Sequence, residues 1–191
     1  MNNYEYIIAS LPVLGKDADK LDADSLVASI KGYLSAQDND LADMLLESFD
    51  SDSLTPEYYV RVSKASNSFI KQYIEFDLKV RNAKVDFLNR TLGRPEGLDS
   101  MPLPAGMSDE FDQRSEVDAI LGRTDILSRE KGLDDLMWAK ADELVLMHVL
   151  DLDIILAFIA KIKITDRWNK LDPATGRALF RKLVQEIRNT R

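Results

Sequence analysis

The sequence predicts an all-α fold, a bundle of long antiparallel helices. Three observations predict it. Apolar residues recur at gaps of three and four over most of the chain, which is the spacing of one helix face. Helix-start signals precede several of these stretches, Thr55-Pro56 foremost. The repeated strand signals that a parallel sheet would need are missing.

The first residues are the exception. Tyr4 to Leu14 are rich in aromatic and β-branched residues and end near Pro12, which fits a short strand or an extended packing arm. Asp22 or Asp24 then caps a helix through Leu26, Val27, Ile30 and Leu34. A second helix fits Asp38 to Phe49, with an acidic first turn that suits the positive end of its dipole. Thr55-Pro56 opens the next. Tyr58, Val62, Ala65, Phe69, Tyr73, Phe76, Val80, Ala83 and Phe87 keep the helical period, so the pattern predicts one helix over 56–92, about 55 Å long. Gly93 is its C-terminal stop. An aromatic stripe at this spacing predicts core, and the flanking Glu75, Asp77, Lys79 and Arg81 predict a solvated or salt-bridged face.

Residues 93–111 hold the only Pro/Gly-rich stretch, a candidate linker or mobile loop. It divides the chain into a helical unit over 1–92 and a second over 112–191. In the second, Glu116 to Leu121 fits the end of a short helix. Asp125 caps a helix through Leu133, Met137 and Ala141, weakened locally by Gly132. Leu144 to Ile164 is the most apolar run, but Asp151 and Asp153 lie within it. A buried core helix, starting at one of those two aspartates, fits better than a membrane span. Trp168 and Leu171 close that element, and Asp172-Pro173 opens a last helix through Leu179, Phe180, Leu183, Val184 and Ile187.

Composition narrows the function classes. The chain has 191 residues, of which 45% are hydrophobic and 30% charged, a globular balance that argues against disorder. It has no cysteine, which excludes disulfides, thiolate ligands and thiol nucleophiles. The N-terminus lacks a basic n-region, so no signal peptide is expected and a cytoplasmic location is. The net charge of −8 is uneven: residues 1–52 hold three Lys against eleven Asp and Glu, and residues 161–191 hold nine Lys and Arg against three acids. Such an acidic head and basic tail suggest electrostatic pairing within the fold or with a partner. The acidic whole argues against nucleic acid as that partner.

No motif assigns a catalytic, cofactor or metal site. The one histidine, His148, lies in an apolar run with Asp151 three residues on, and is expected to be a satisfied core or interface residue. Asp17, Asp19, Asp22 and Asp24 alternate as in a calcium loop, but the central glycine and closing glutamate are missing. Phosphate-binding glycine motifs and the serine elbow are also missing. An enzyme would have to use buried carboxylates, with Asp134, Asp135, Asp142 and Glu143 as the candidates and an exposed acidic face as the plainer reading.

Two segments resemble a known family. Tyr73-Ile74-Glu75-Phe76-Asp77-Leu78-Lys79-Val80-Arg81-Asn82 is similar to the long-helix signature of the central-stalk C/d subunit of V/A-type ATPases. Asp153 to Trp168, in which an apolar run precedes a charged cluster ending Asp166-Arg167-Trp168, resembles the late helix of the same family. The opening YEYIIASLP is similar to a small bacterial family of unknown function whose members accompany V/A-type ATPases and look like shortened C/d subunits. The resemblance puts forward Tyr73, Phe76, Arg81, Asn82, Phe158, Lys161, Arg167 and Trp168 as structural or interface residues. It implies a bundle like that of the C/d subunit and a non-catalytic connector between the central stalk and the membrane rotor ring, without cofactors. Stalk and rotor-ring proteins would be its partners. It would sit peripherally at the inner face of the membrane without inserting into it. A stand-alone helical adaptor or regulator that binds another protein is the alternative.

Overall fold

The computed structural model describes residues 3–14 and 21–171. Among them the chain forms eight α-helices and one 3-10 turn, and no strand. The fold is an all-helical bundle, as the periodicity predicts.

The N-terminal residues differ from expectation. Tyr4–Ser10 is a helix, α1, and not a strand or extended arm. Its apolar residues fit either period over so short a run. Tertiary contacts decide: Ile7 is buried in the core, α1 packs on the last described helix, and the Tyr4 hydroxyl donates to Asp38 at 3.0 Å. Asp22 caps α2 (Ala23–Tyr33) by accepting from the Ser25 amide. Ser35 caps α3 (Ala36–Glu47), which brings the buried Asp38 into its first turn.

The single long helix is broken. Thr55 caps α4 (Pro56–Ser63) with Pro56 at its start, as the sequence indicates, but that helix ends at Ser63. A new helix, α5 (Ser68–Thr91), is capped by Asn67, whose side chain accepts from the Ile70 amide at 2.8 Å. Ser66, Asn67 and Ser68 favour caps over helix interiors, because their side chains compete for backbone groups. The apolar period carries across the break in phase, so it conceals it. With 24 residues α5 is about 36 Å long, in place of 55 Å. Leu92 follows, and Gly93, at φ +68°, ends it in the left-handed conformation that glycine adopts without a side-chain clash.

α6 (Arg114–Leu121), α7 (Ile126–Leu144) and α8 (Leu152–Asn169) complete the bundle. Asp125 and Asp151 cap α7 and α8. α8 is the most enclosed helix. Ile155, Leu156, Ile159 and Ile162 are fully buried, and α8 touches α1, α2, α3, α5 and α7. A helix that is apolar on nearly every side belongs inside a bundle. α5 is the other hub, packed on α3, α4, α6, α7 and α8, and one hydrophobic core runs from Ile7 to Ile164. Lys163 and Lys170 at the end of α8 reach Asp24 of α2 at 3.1 and 3.6 Å, so these two basic residues meet the acidic head within the fold. The expected helix after Pro173 lies outside the described residues, as do Asp17 and Asp19 of the calcium-like pattern.

Within the apolar run Leu144–Ile164 the buried core helix starts at Asp151, as the sequence indicates, but the residues before it are exposed. α7 ends at Leu144, and a turn over 145–151 exposes Leu146 (78%), Met147 (88%) and Val149 (73%) before α8 begins. No helix among the described residues is long and apolar enough to cross a membrane.

Candidate functional site: an ion-paired cavity beside the central helix

α5, α7 and α8 border a half-open cavity of about 150 Å³, with Ser48 and Phe49 after α3 also in its lining. Helical spacing aims the lining residues. Tyr73, Asp77, Val80, Arg81 and Lys84 share one face of α5. Glu130, Leu133, Asp134 and Met137 do the same on α7, and Lys163, Ile164 and Arg167 on α8.

The charges are layered. Asp77 and Asp134 are deep, with side chains only 13% exposed, while Arg81 (44%) and Arg167 (50%) reach over them from the surface. Arg81 donates from Nε to Asp77 at 2.6 Å and from Nη2 to the Ser48 carbonyl at 3.2 Å. Arg167 pairs with Asp134, its Nη2 2.7 Å from the carboxylate, and the Trp168 indole donates to the same carboxylate at 2.7 Å. Lys84 holds Glu130 at 2.5 Å, with Arg167 3.5 Å from its other oxygen. Burial pushes the Asp77 and Asp134 carboxyls above the usual aspartate value, and Arg81 and Arg167 oppose that push. Glu130 goes the other way: it is less buried, and Lys84 and Arg167 outweigh its desolvation and hold it low.

One polar group beside the cavity is unsatisfied. Tyr73 stacks on Phe69, ring centroids 5.3 Å apart, and its hydroxyl is buried without a hydrogen-bond partner. Burial first, then the Asp77 charge, raises its ionisation far above the ordinary phenol value, so the group is a proton donor.

Tyr73, Arg81 and Arg167 thus meet in one place, and Trp168 fixes the carboxylate behind them. The other four candidate residues lie elsewhere. Phe76 packs edge-on against Phe111, with the Lys140 ammonium over its ring. Phe158 is buried in the core. Lys161 pairs with Asp142 and sits 5.4 Å over the Trp138 ring. Asn82 fastens the 93–111 segment: its amide donates to the Met101 carbonyl at 2.7 Å and accepts from the Met101 amide at 2.9 Å. Asn89 and Asp86 add hydrogen bonds to Leu98 and Gly97, so this Pro/Gly-rich stretch lies along α5. Asn82→Ala should cost about 1–2 kcal/mol for the lost pair. Faster amide exchange confined to residues around Met101 would check it, and unchanged protection there would contradict it.

Of the four carboxylates that an enzyme reading singles out, Asp134 alone lines the cavity. Asp142 and Glu143 pair with Lys161 and Lys140, and Asp135 faces a separate depression beside Trp138 and Trp168. Asp77 is the deep carboxylate that sequence reasoning placed on a polar face without recognising its burial. Its i,i+4 spacing to Arg81 was the available signal for an ion pair.

His148 is not a core residue. It sits in the exposed turn between α7 and α8, with Nδ1 2.5 Å from Asp151 and 3.7 Å from Asp153. Asp151 caps α8, and Asp153 accepts from the Asn67 amide at 2.6 Å, so the histidine joins the network that ties α8 to the start of α5. The hydrogen bond to Asp151 raises the histidine above its ordinary value of 6.5. A histidine raised on folding stabilises the fold fully below its unfolded value, and the contribution is lost as pH rises through the folded one. A proton NMR titration should place this only histidine above 6.5, and Asp151→Asn, which still caps, should bring it back towards 6.5. An unchanged titration in that variant would refute the pairing.

Residues 105–190 match the model of a domain family described as "Protein of unknown function (DUF2764)". The match spans α6, α7 and α8, so the cavity lies between the matched segment and α5, which precedes it. No curated protein and no solved structure matches the chain.

Proposed function

We propose that the chain is a non-catalytic structural component of a V/A-type ATPase, coupling the central stalk to the membrane rotor ring from the cytoplasmic side. The observation that carries this reading is where the two segments similar to the C/d subunit fall. One lies on α5 and the other is α8, the two hubs of the bundle. They face each other across the ion-paired cavity. A torque-transmitting part needs its long helices locked together; the Lys84–Glu130 pair joins α5 to α7, and the Arg167–Asp134 pair joins α8 to α7. The same pairing favours a non-catalytic role, because a carboxylate held by an arginine is a poor general base. Affinity purification of the chain from its native cell, with membranes preserved, should recover rotor-ring and stalk proteins in stoichiometric amounts. Isolation of the intact ATPase without this chain would overturn the reading.

A second reading, a free-standing adaptor for another protein, rests on the exposed turn. Leu146, Met147, Val149 and Leu150 form an apolar cluster that the fold leaves uncovered. Under this reading Met147→Asp abolishes capture of a partner that is not part of an ATPase.

A further inference from the structure

We infer that Met147 is a redox-modification site: a peroxide converts its thioether to the sulfoxide, and the added oxygen strips the exposed turn of its apolar character while the bundle beneath stays folded. The adaptor reading rests on the same turn, but this chemistry needs no partner and stands whether or not the chain belongs to an ATPase.

The argument begins with access. A thioether has no proton to lose, so its reactivity towards a peroxide follows exposure and not ionisation. The chain has six methionines. Met147 is 88% exposed, so a peroxide reaches it in the native state. Met137 is buried in the core, and Met44, Met101 and Met107 are partly buried and packed against it. Their sulfurs are shielded until the structure opens locally. Met1 lies outside the described residues. Competition is also absent. The chain has no cysteine, so no thiolate of its own intercepts the oxidant.

The reaction closes without further reagents. The sulfur lone pair attacks one oxygen of hydrogen peroxide, an S–O bond forms and the O–O bond breaks. The proton on the transferred oxygen passes to the departing hydroxide, which leaves as water. Sulfur gives up two electrons and the peroxide takes them. A dithiol, acting through a sulfoxide reductase, reverses the step: the oxygen leaves as water and the dithiol closes to a disulfide.

Position makes this a change of surface and not damage. Leu146, Val149 and Leu150 are the other exposed apolar residues of the turn, and a sulfoxide among them is a polar acceptor. The turn is held without the Met147 side chain. The Val145 and Leu146 amides donate to the Asp142 and Glu143 carbonyls at 3.3 Å, the His148 amide donates to the Val145 carbonyl at 2.9 Å, and the His148 ring is paired with Asp151. The same oxygen on Met137 would have to enter the core.

The full-length chain is treated with limiting hydrogen peroxide, and oxidation at each methionine is followed by peptide mass spectrometry. Met147 should gain oxygen at least about tenfold faster than Met44, Met101, Met107 and Met137. Retention on a hydrophobic-interaction column should fall for the oxidised chain, with its helical circular dichroism unchanged. Met147→Leu keeps an apolar side chain of similar volume and should lose no retention under the same treatment. The two methionine sulfoxide reductases, one for each epimer, should restore the retention of the oxidised wild type in the presence of a dithiol. Any of five results would overturn the proposal: a comparable rate at one of the four shielded methionines, loss of helical signal on oxidation, unchanged retention, loss of retention that persists in the leucine variant, or no recovery with the reductases.

Discussion

Arg81→Met should destabilise the protein by about 3 kcal/mol, the low end of what breaking a buried ion pair costs, because the arginine is half exposed. The substitution keeps the aliphatic stem of the side chain and removes the guanidinium, its charge and its donors together. It strands the Asp77 carboxylate in the bundle and leaves the Ser48 carbonyl without its donor. The pH dependence separates this cause from lost packing. Asp77 already has a folded-state value raised above 3.8 by burial, and without Arg81 to oppose it the value rises further. A carboxylate raised on folding penalises the native state at pH above its folded value, and the penalty vanishes as pH falls towards the unfolded value. The deficit of Arg81→Met against the wild type should therefore be largest near neutral pH and shrink on acidification. The double variant Asp77→Asn, Arg81→Met should recover most of the loss at neutral pH, since no charge is left unpaired. Denaturant midpoints for the three proteins at two pH values provide the measurement. A deficit that does not change with pH, or a double variant no better than the single, would show that Arg81 contributes packing and not charge.

That pair also shows how far the sequence speaks and where it stops. Helix identity was legible because caps and periods are local: Asp22, Thr55, Asp125 and Asp151 sit where the helices start, and Gly93 where α5 ends. Asp77 and Arg81 were legible as an i,i+4 pair. Their burial was not, because it depends on α7 and the end of α3 closing over that face of α5, a matter of tertiary packing. The break at Asn67 was hidden for a related reason. An apolar period records which side is buried, and it runs on unchanged when two helices of the same phase meet at a cap. The exposed turn at Leu146–Leu150 misled in the other direction. Apolar residues generally lie inside, but the rule is statistical, and a connection between two packed helices has nowhere to bury its side chains. The Tyr73 hydroxyl could not be found from the sequence at all. A missing partner is a property of the surroundings, and Tyr73 reads as one more member of an aromatic stripe.

Gly132 gives the clearest case of local and tertiary preference pulling apart, and it predicts an effect of opposite sign from each. Glycine inside α7 lowers helix propensity by about 1 kcal/mol against alanine, so propensity alone makes Gly132→Ala stabilising. The structure reverses this. A Cβ at position 132 would lie 2.7 Å from Ile120 Cγ2 and 2.7 Å from Arg123 Nη1. The arginine end can move away. Ile120 is buried in α6, and its branched side chain has few rotamers to choose from, so relief requires α6 and α7 to separate. Overpacking of this kind costs roughly 1–3 kcal/mol. Gly132→Ala should therefore be destabilising by about 1 kcal/mol net, and Gly132→Val by about 3 kcal/mol, since valine adds both volume and a helix-disfavouring branch point. Ile120→Ala in the Gly132→Ala background tests the cause. It removes the atom that clashes, so the pair should lose less than the sum of the two single variants, a coupling that only contacting residues show. If Gly132→Ala instead raises the denaturation midpoint, the two helices approach less closely than the structure places them, and the glycine is a propensity defect after all.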